Sequence, residues 1–291
     1  MKQRIITGTI AGIVALLAIL FLPTFVFAWV IFAIAMIGLF EWSRLLKLAI
    51  PVKAIYLVVG GITLLLVTVT MLIGAKESVD GLLVIYIQNH PLFYGLLALM
   101  AIFWLFMPFV LSIHARRPVA FLVNREFLFV ASILTLAALM VTLVTLQQSV
   151  ILLLYLILLV IIADSGAYFV GRKLGKHKLA PTISPGKSVE GAVGGIVLGI
   201  LYAFVAVLWL SGGENPILMT ANKTLLIVNF VSLSALVVIV SISGDLFESV
   251  VKRHAGVKDS GNILPGHGGI LDRIDALTAA APLFFVGLTF I

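Results

Sequence analysis

Between Ser249 and Asp275, a chain otherwise dominated by apolar residues gathers Lys252, Arg253, Lys258, Asp259, His267, Asp272, Arg273 and Asp275, with Gly261, Gly266, Gly268 and Gly269 among them. Taking an unpaired charged group out of water costs roughly several kcal/mol, so both signs concentrated in one segment of such a chain are expected to act on something. Carboxylate oxygens are the hard ligands that Mg²⁺ prefers, lysine and arginine match phosphate oxygens, and glycines let backbone amides approach a phosphate. The mixture predicts a site for phosphate and metal at a membrane surface.

Three constellations carry that chemistry. If the helix ahead of this segment continues through it, Asp245, Glu248, Ser249 and Lys252 stand at i, i+3, i+4 and i+7 and form one polar face. An internally paired Asp-Lys stripe that only fixes helix packing is the plainer alternative. Asp272 and Asp275, three residues apart at the start of the last apolar run, share a helical face and with Asp245 could form a three-carboxylate metal site. Asp residues at a helix start are also ordinary partners of its dipole. Between them the loop Lys258-Asp259-Ser260-Gly261 to His267-Gly268-Gly269 could cradle phosphate, although Gly-rich loops are mostly turns and a lone histidine is mostly a structural hydrogen-bonder.

A third group lies earlier: Asp164-Ser-Gly-Ala-Tyr168, the basic stretch Arg172 to Lys178, and Ser184-Pro-Gly-Lys187-Ser-Val-Glu190. Gly186-Lys187-Ser188 invites a P-loop reading, but Pro181 stands where the first glycine belongs and no strand is expected before it. Ser184, Lys187 and Glu190, one helical step apart, are expected to cap the following helix and to hold a nucleotide phosphate.

The elements that must position these residues are membrane helices. The 291 residues are 62% hydrophobic and 11% charged, with a mean hydropathy of +1.25, and runs such as 5–22 and 127–146 carry no formal charge over a length that spans a bilayer core. The expected fold is all-α and polytopic, with nine transmembrane spans near 5–22, 25–45, 54–74, 92–113, 127–147, 150–171, 191–211, 224–243 and 276–291. Alternate breaks between these spans carry seventeen of the nineteen Lys and Arg residues, only Lys76 and Lys223 falling on the other side. The positive-inside rule then predicts a cytoplasmic amino terminus, an external carboxyl terminus and every motif above facing the cytoplasm. The first run is expected to be a retained helix, since no small-residue cleavage site follows it. A net charge of +7 is explained by this topology and by anionic lipid heads, so no nucleic-acid partner is expected. The absence of cysteine excludes disulfides, thiolate metal ligands and a cysteine nucleophile. The chain is expected to be one integral membrane domain over 1–291, with residues 1–148 as scaffold helices and 149–291 as the catalytic part.

The run Ser249-x-Val251-Lys252-Arg253, then Lys258-Asp259-x-Gly261-x-x-Leu264-Pro265-x-His267-Gly268-Gly269-Ile270-x-Asp272-Arg273-Ile274-Asp275, resembles the signature of the phosphatidate cytidylyltransferases, or CDP-diacylglycerol synthases. The Asp164 to Tyr168 and Ser184 to Lys187 segments look like the bacterial branch. The resemblance covers residues 150–291 strongly and the first half, variable in that family, by hydropathy alone. It implies condensation of CTP with phosphatidate to CDP-diacylglycerol and pyrophosphate in phospholipid biosynthesis, at the cytoplasmic face of the bacterial inner membrane, with Mg²⁺ and room for a second cation such as K⁺. It further implies metal ligation by Asp245, Asp272 and Asp275, and action on the substrates by Lys252, Arg253, His267 and Arg273. Asp164, Ser184, Lys187, Glu190, Ser249, Lys258, Asp259, Gly268 and Gly269 are the expected substrate contacts. A homodimer is compatible with the helices but nothing in them demands it.

Three other readings compete. A cation-coupled transporter predicts midplane acids in both halves, whereas these cluster beside basic residues at one face. A CDP-alcohol phosphotransferase requires an Asp-Gly-x-x-Ala-Arg pattern that the chain lacks. A CTP-dependent lipid kinase would release CDP in place of pyrophosphate.

Overall fold

A backbone crossing lipid must satisfy every N–H and C=O within itself, so the long apolar runs fold as helices. The computed structural model describes residues 2–77, 87, 90–211 and 222–291. Among these residues the chain forms nine α-helices: α1 (Lys2–Phe21), α2 (Thr24–Leu45), α3 (Ile50–Glu77), α4 (Pro91–His114), α5 (Arg125–Gln147), α6 (Val150–Leu174), α7 (Val189–Ser211), α8 (Lys223–His254) and α9 (Leu271–Leu288). The protein is an all-α polytopic membrane protein. Seven helices, α2 through α8, are long and apolar enough to cross a membrane by length and composition. The apolar stretch of α1 is the shorter Ile6–Phe21, and α9 carries Asp272, Arg273 and Asp275 in its first turns. The connections expected at 78–86 and 212–221 lie outside the described residues, as do the side chains of Lys2, Arg4 and Lys76.

Burial separates a core from a lipid-facing rim. Helix α5 is the most enclosed, with 78% of its apolar window buried, and it packs against α2, α3 and α9. By contrast α1, α4 and α7 present large apolar side chains outward, among them Ile10, Val14, Phe106, Phe109, Val193, Leu201 and Trp209. In water such faces would be a liability; in acyl chains they cost nothing. Some polar groups inside the bundle are paired across helices, as with Tyr56 and Ser132 (2.7 Å) and Tyr155 and Ser234 (2.6 Å). Gln147, at the end of α5, donates to the carbonyl of Leu22 (2.9 Å) and accepts from Thr24 (2.6 Å), closing the α1–α2 corner.

Two boundaries differ from expectation in ways that bear on function. Helix α8 runs past 243 to His254, so Asp245 to Lys252 are helical, and α9 begins at Leu271 ahead of the expected 276. Ser184 and Lys187 do not open a helix. They lie on β2 (Ser184–Ser188), which pairs antiparallel with β1 (Lys178–Ala180) in a small hairpin between α6 and α7. The helix cap is Ser188, whose Oγ accepts the Gly191 N–H (3.1 Å).

The hairpin, the α8–α9 loop and three other basic breaks meet at one end of the bundle. Thr182 of the hairpin donates to the carbonyl of Ala115 after α4 (3.3 Å), and Arg253 Nε donates to that of Ile183 (3.5 Å). Thr7 near the start of α1 pairs with His267 (2.7 Å), and Glu41 near the end of α2 accepts from the start of α9. Alternate breaks therefore share one side, as the charge pattern requires.

Candidate active site

Helices α8 and α9 supply the centre of the site. On α8, Asp245, Glu248, Ser249 and Lys252 form one face, as their spacing predicts: Ser249 Oγ donates to Asp245 Oδ1 (3.4 Å), and Lys252 Nζ lies 3.4 Å from Glu248 Oε2 one turn away. On α9, Asp272 and Asp275 both turn to that face. Lys252 Nζ donates to Asp272 Oδ1 at 2.7 Å, while Asp275 abuts Glu248. Close approach of the two backbones depends on Gly244, where any Cβ would overlap the Asp275 carbonyl and press on Ala279. Gly244→Val should therefore push α9 off α8, lowering stability by about 1–3 kcal/mol of overpacking and cutting turnover; unfolding and activity measured in one detergent preparation check both.

Asp272 is fully engaged. Its Oδ2 accepts the N–H of Ser260 (2.9 Å), the hydroxyl of Ser260 (2.9 Å) and the N–H of Gly269 (2.8 Å). Two of the loop's amides, those of Ser260 and Gly269, are thus engaged by Asp272. Gly268, at φ +87°, makes the left-handed turn that brings the loop back against Asp272, and a β-carbon there would also strike that carboxylate.

Asp245 reaches the other way, with Oδ2 2.7 Å from Lys187 Nζ of the hairpin. This pair borders a cavity of about 590 Å³ whose lining includes Asp164, Tyr168, Ser184, Gly191 and Ile242. A second cavity of about 620 Å³, more polar, lies against the loop and is lined by Lys258, Asp259, Asn262, His267, Gly268 and Arg273. Arg273, in the lining of the second cavity, is within electrostatic range of Asp164, in the lining of the first.

Three expected residues stand apart from this centre. Arg253 points away from the carboxylates toward Ile183 and lines a separate cavity of about 340 Å³ with His114 and His254. Glu190 accepts from the N–H groups of Lys176 (3.0 Å) and His177 (3.2 Å) and pairs with His177 Nδ1 (2.6 Å), so its carboxylate closes the α6–hairpin turn in place of facing a phosphate. His267 Nδ1 is committed to Thr7. Two residues missing from the expected site belong to it. Glu248, only 3% exposed, lies against Asp275 and 3.4 Å from the Lys252 ammonium. Glu41 of α2 holds the start of α9. The helical spacing of Glu248 was a usable signal; Glu41 had none.

Asp245, Asp272 and Asp275 face protein and polar space, not acyl chains, but they do not form the simple three-carboxylate nest expected of them. Among the described residues, no three Asp, Glu or His side chains converge at metal-binding spacing. Lysines stand between them: Lys187 at Asp245 and Lys252 at Asp272.

The cytidylyltransferase family profile matches residues 2–291. Similar proteins include the phosphatidate cytidylyltransferase of Haemophilus influenzae, 37% identical over 98% of this chain and 97% of its own length. Those of Pseudomonas aeruginosa and Bacillus subtilis are each 36% identical over 98% of this chain, covering 95% and 96% of their own lengths. Likeness running through both halves, with acids, bases and two cavities meeting at one end of a membrane bundle, means that the chain belongs to the cytidylyltransferase family and is a nucleotidyltransferase.

Proposed function

We propose that the protein condenses CTP with phosphatidate to give CDP-diacylglycerol and pyrophosphate, at the cytoplasmic face of a bacterial inner membrane. The observation that carries this reading is the gathering of the Lys187–Asp245 and Lys252–Asp272 pairs and two cavities at one end of a lipid-facing bundle. A water-borne triphosphate and a lipid phosphate can reach the same charges there while the acyl chains stay in lipid. The names of the relatives from three bacteria agree with it.

A phosphate oxygen of phosphatidate attacks the α-phosphorus of CTP in line. The new P–O bond forms as the bond from that phosphorus to the β-phosphate bridging oxygen breaks, and pyrophosphate leaves with the electron pair. No protein nucleophile takes part, so the residues act by aligning the phosphates and offsetting their charge. Lys187 at the first cavity and Lys258 and Arg273 at the second supply cations, and Lys252 holds Asp272 behind them. Arg253 seats the hairpin that carries Lys187, and Thr7 holds His267 in the wall of the polar cavity.

As they stand the carboxylates do not form a ready-made site for a divalent cation, because no three of the described ones converge at metal-binding spacing and Lys187 and Lys252 occupy Asp245 and Asp272. Asp245, Asp272 and Asp275 are the carboxylates that would hold Mg²⁺, and they would have to draw together around the ion and the substrate phosphates to do so. When bound, such an ion neutralises charge on the reacting phosphates. Pyrophosphate should appear in step with lipid product, vanish when phosphatidate is omitted, and fall to background with a chelator until Mg²⁺ is restored. Release of CDP would make the protein a kinase and defeat the proposal.

A further inference from the structure

Glu41 lies in the half of the chain whose residues suggest scaffold, yet it is fully buried and both its oxygens are used. Its Oε1 accepts the Ile270 N–H (3.0 Å) and its Oε2 accepts the Leu271 N–H (2.9 Å), with the Ser260 hydroxyl, whose one proton is shared with Asp272, 3.0 Å from Oε2. Among the described residues no basic side chain forms an ion pair with it. Its charge is therefore held by the first amides of α9, where the positive end of the helix dipole lies. A β-carbon at Gly261 or Gly269 would run into this carboxylate, so the loop is closed tightly around it.

The same loop supplies every donor to Asp272 Oδ2. Ser260 is the link, its hydroxyl standing between Glu41 Oε2 and Asp272 Oδ2 while its N–H goes to Asp272 alone. We propose that Glu41 is a positioning residue for the cytidylyl-transfer site: anchored in α2, it fixes Ser260 and the first turn of α9, and so sets Asp272 against Lys252. This rests on the placing of Asp272 in the active site.

Glu41→Gln keeps the shape but turns an NH₂ group toward a backbone N–H, so one of the α9 amides loses its acceptor. The full chain in detergent should then show a kcat reduced about tenfold or more, the scale of one hydrogen bond to a charged group, with KM for CTP changed less than kcat. Hydrogen exchange over residues 259–271 should rise while the rest of the bundle stays protected. Ser260→Ala, which removes only the linking hydroxyl, should give a smaller loss of the same kind and serves if Glu41→Gln does not fold. A folded Glu41→Gln protein with unchanged kcat overturns the proposal, as does a loss of kcat with unchanged exchange at 259–271. An unsubstituted protein that makes no CDP-lipid would instead defeat the assigned reaction, and the exchange comparison would still decide whether Glu41 holds the loop.

Discussion

Asp272→Asn is expected to abolish cytidylyl transfer, by about a thousandfold or more given the cost of removing one preorganised electrostatic group, while the protein stays folded and membrane-inserted. The carboxylate accepts hydrogen bonds from Lys252 and from the Ser260 and Gly269 amides, and shares the Ser260 hydroxyl proton with Glu41. Asparagine has a single acceptor oxygen. If that oxygen stays with the loop, the amide nitrogen faces the Lys252 ammonium and the lysine loses its short partner. Turnover measured beside circular dichroism and gel filtration checks the result, and retained activity would remove Asp272 from the site.

Lys252→Met has the second large effect. The ammonium is 8% exposed and stands between Glu248 and Asp272. Removing it leaves two buried carboxylates uncompensated, which costs about 3–5 kcal/mol when one partner of a buried pair is lost. Unfolding temperature and turnover should fall together. This variant also separates the two readings of the α8 stripe, since a pure packing role predicts lost stability with normal turnover in the fraction that remains folded.

The difference between what the residues announce and what the fold adds follows the range of each interaction. The α8 face and the Asp272–Asp275 pair were legible because helical period alone places i, i+3 and i+4 together. The gathering of basic breaks at one end was legible because each span reverses the side of the next. The hairpin was not, since Lys178–Ala180 and Ser184–Ser188 are short, hold Pro185 and Gly186, and show no alternation of apolar and polar residues. Nor was the anchoring of His267 by Thr7, residues 260 apart in sequence.

Glu41 is the clearest case. Its partners are mainly backbone amides 229 and 230 residues away, and a backbone N–H leaves no mark in a sequence. Glu190 shows the opposite case: its helix-start position suggested a phosphate, and the contacts it makes are local, two amides and His177 in the turn beside it. Asp272 and Asp275 at helical spacing, joined by Asp245 from another helix, likewise suggested one metal nest, whereas the lysines that approach Asp245 and Asp272 come from the hairpin and from α8.

The transferred group itself gives the most direct test. Purified protein is incubated with phosphatidate, Mg²⁺ and CTP labelled either at the α- or at the γ-phosphate, and the lipid phase is extracted. Label from the α-position should enter the lipid and label from the γ-position should leave as pyrophosphate. Lipid labelled from the γ-position, or no labelled lipid at all from an active, folded preparation, would contradict cytidylyl transfer to phosphatidate.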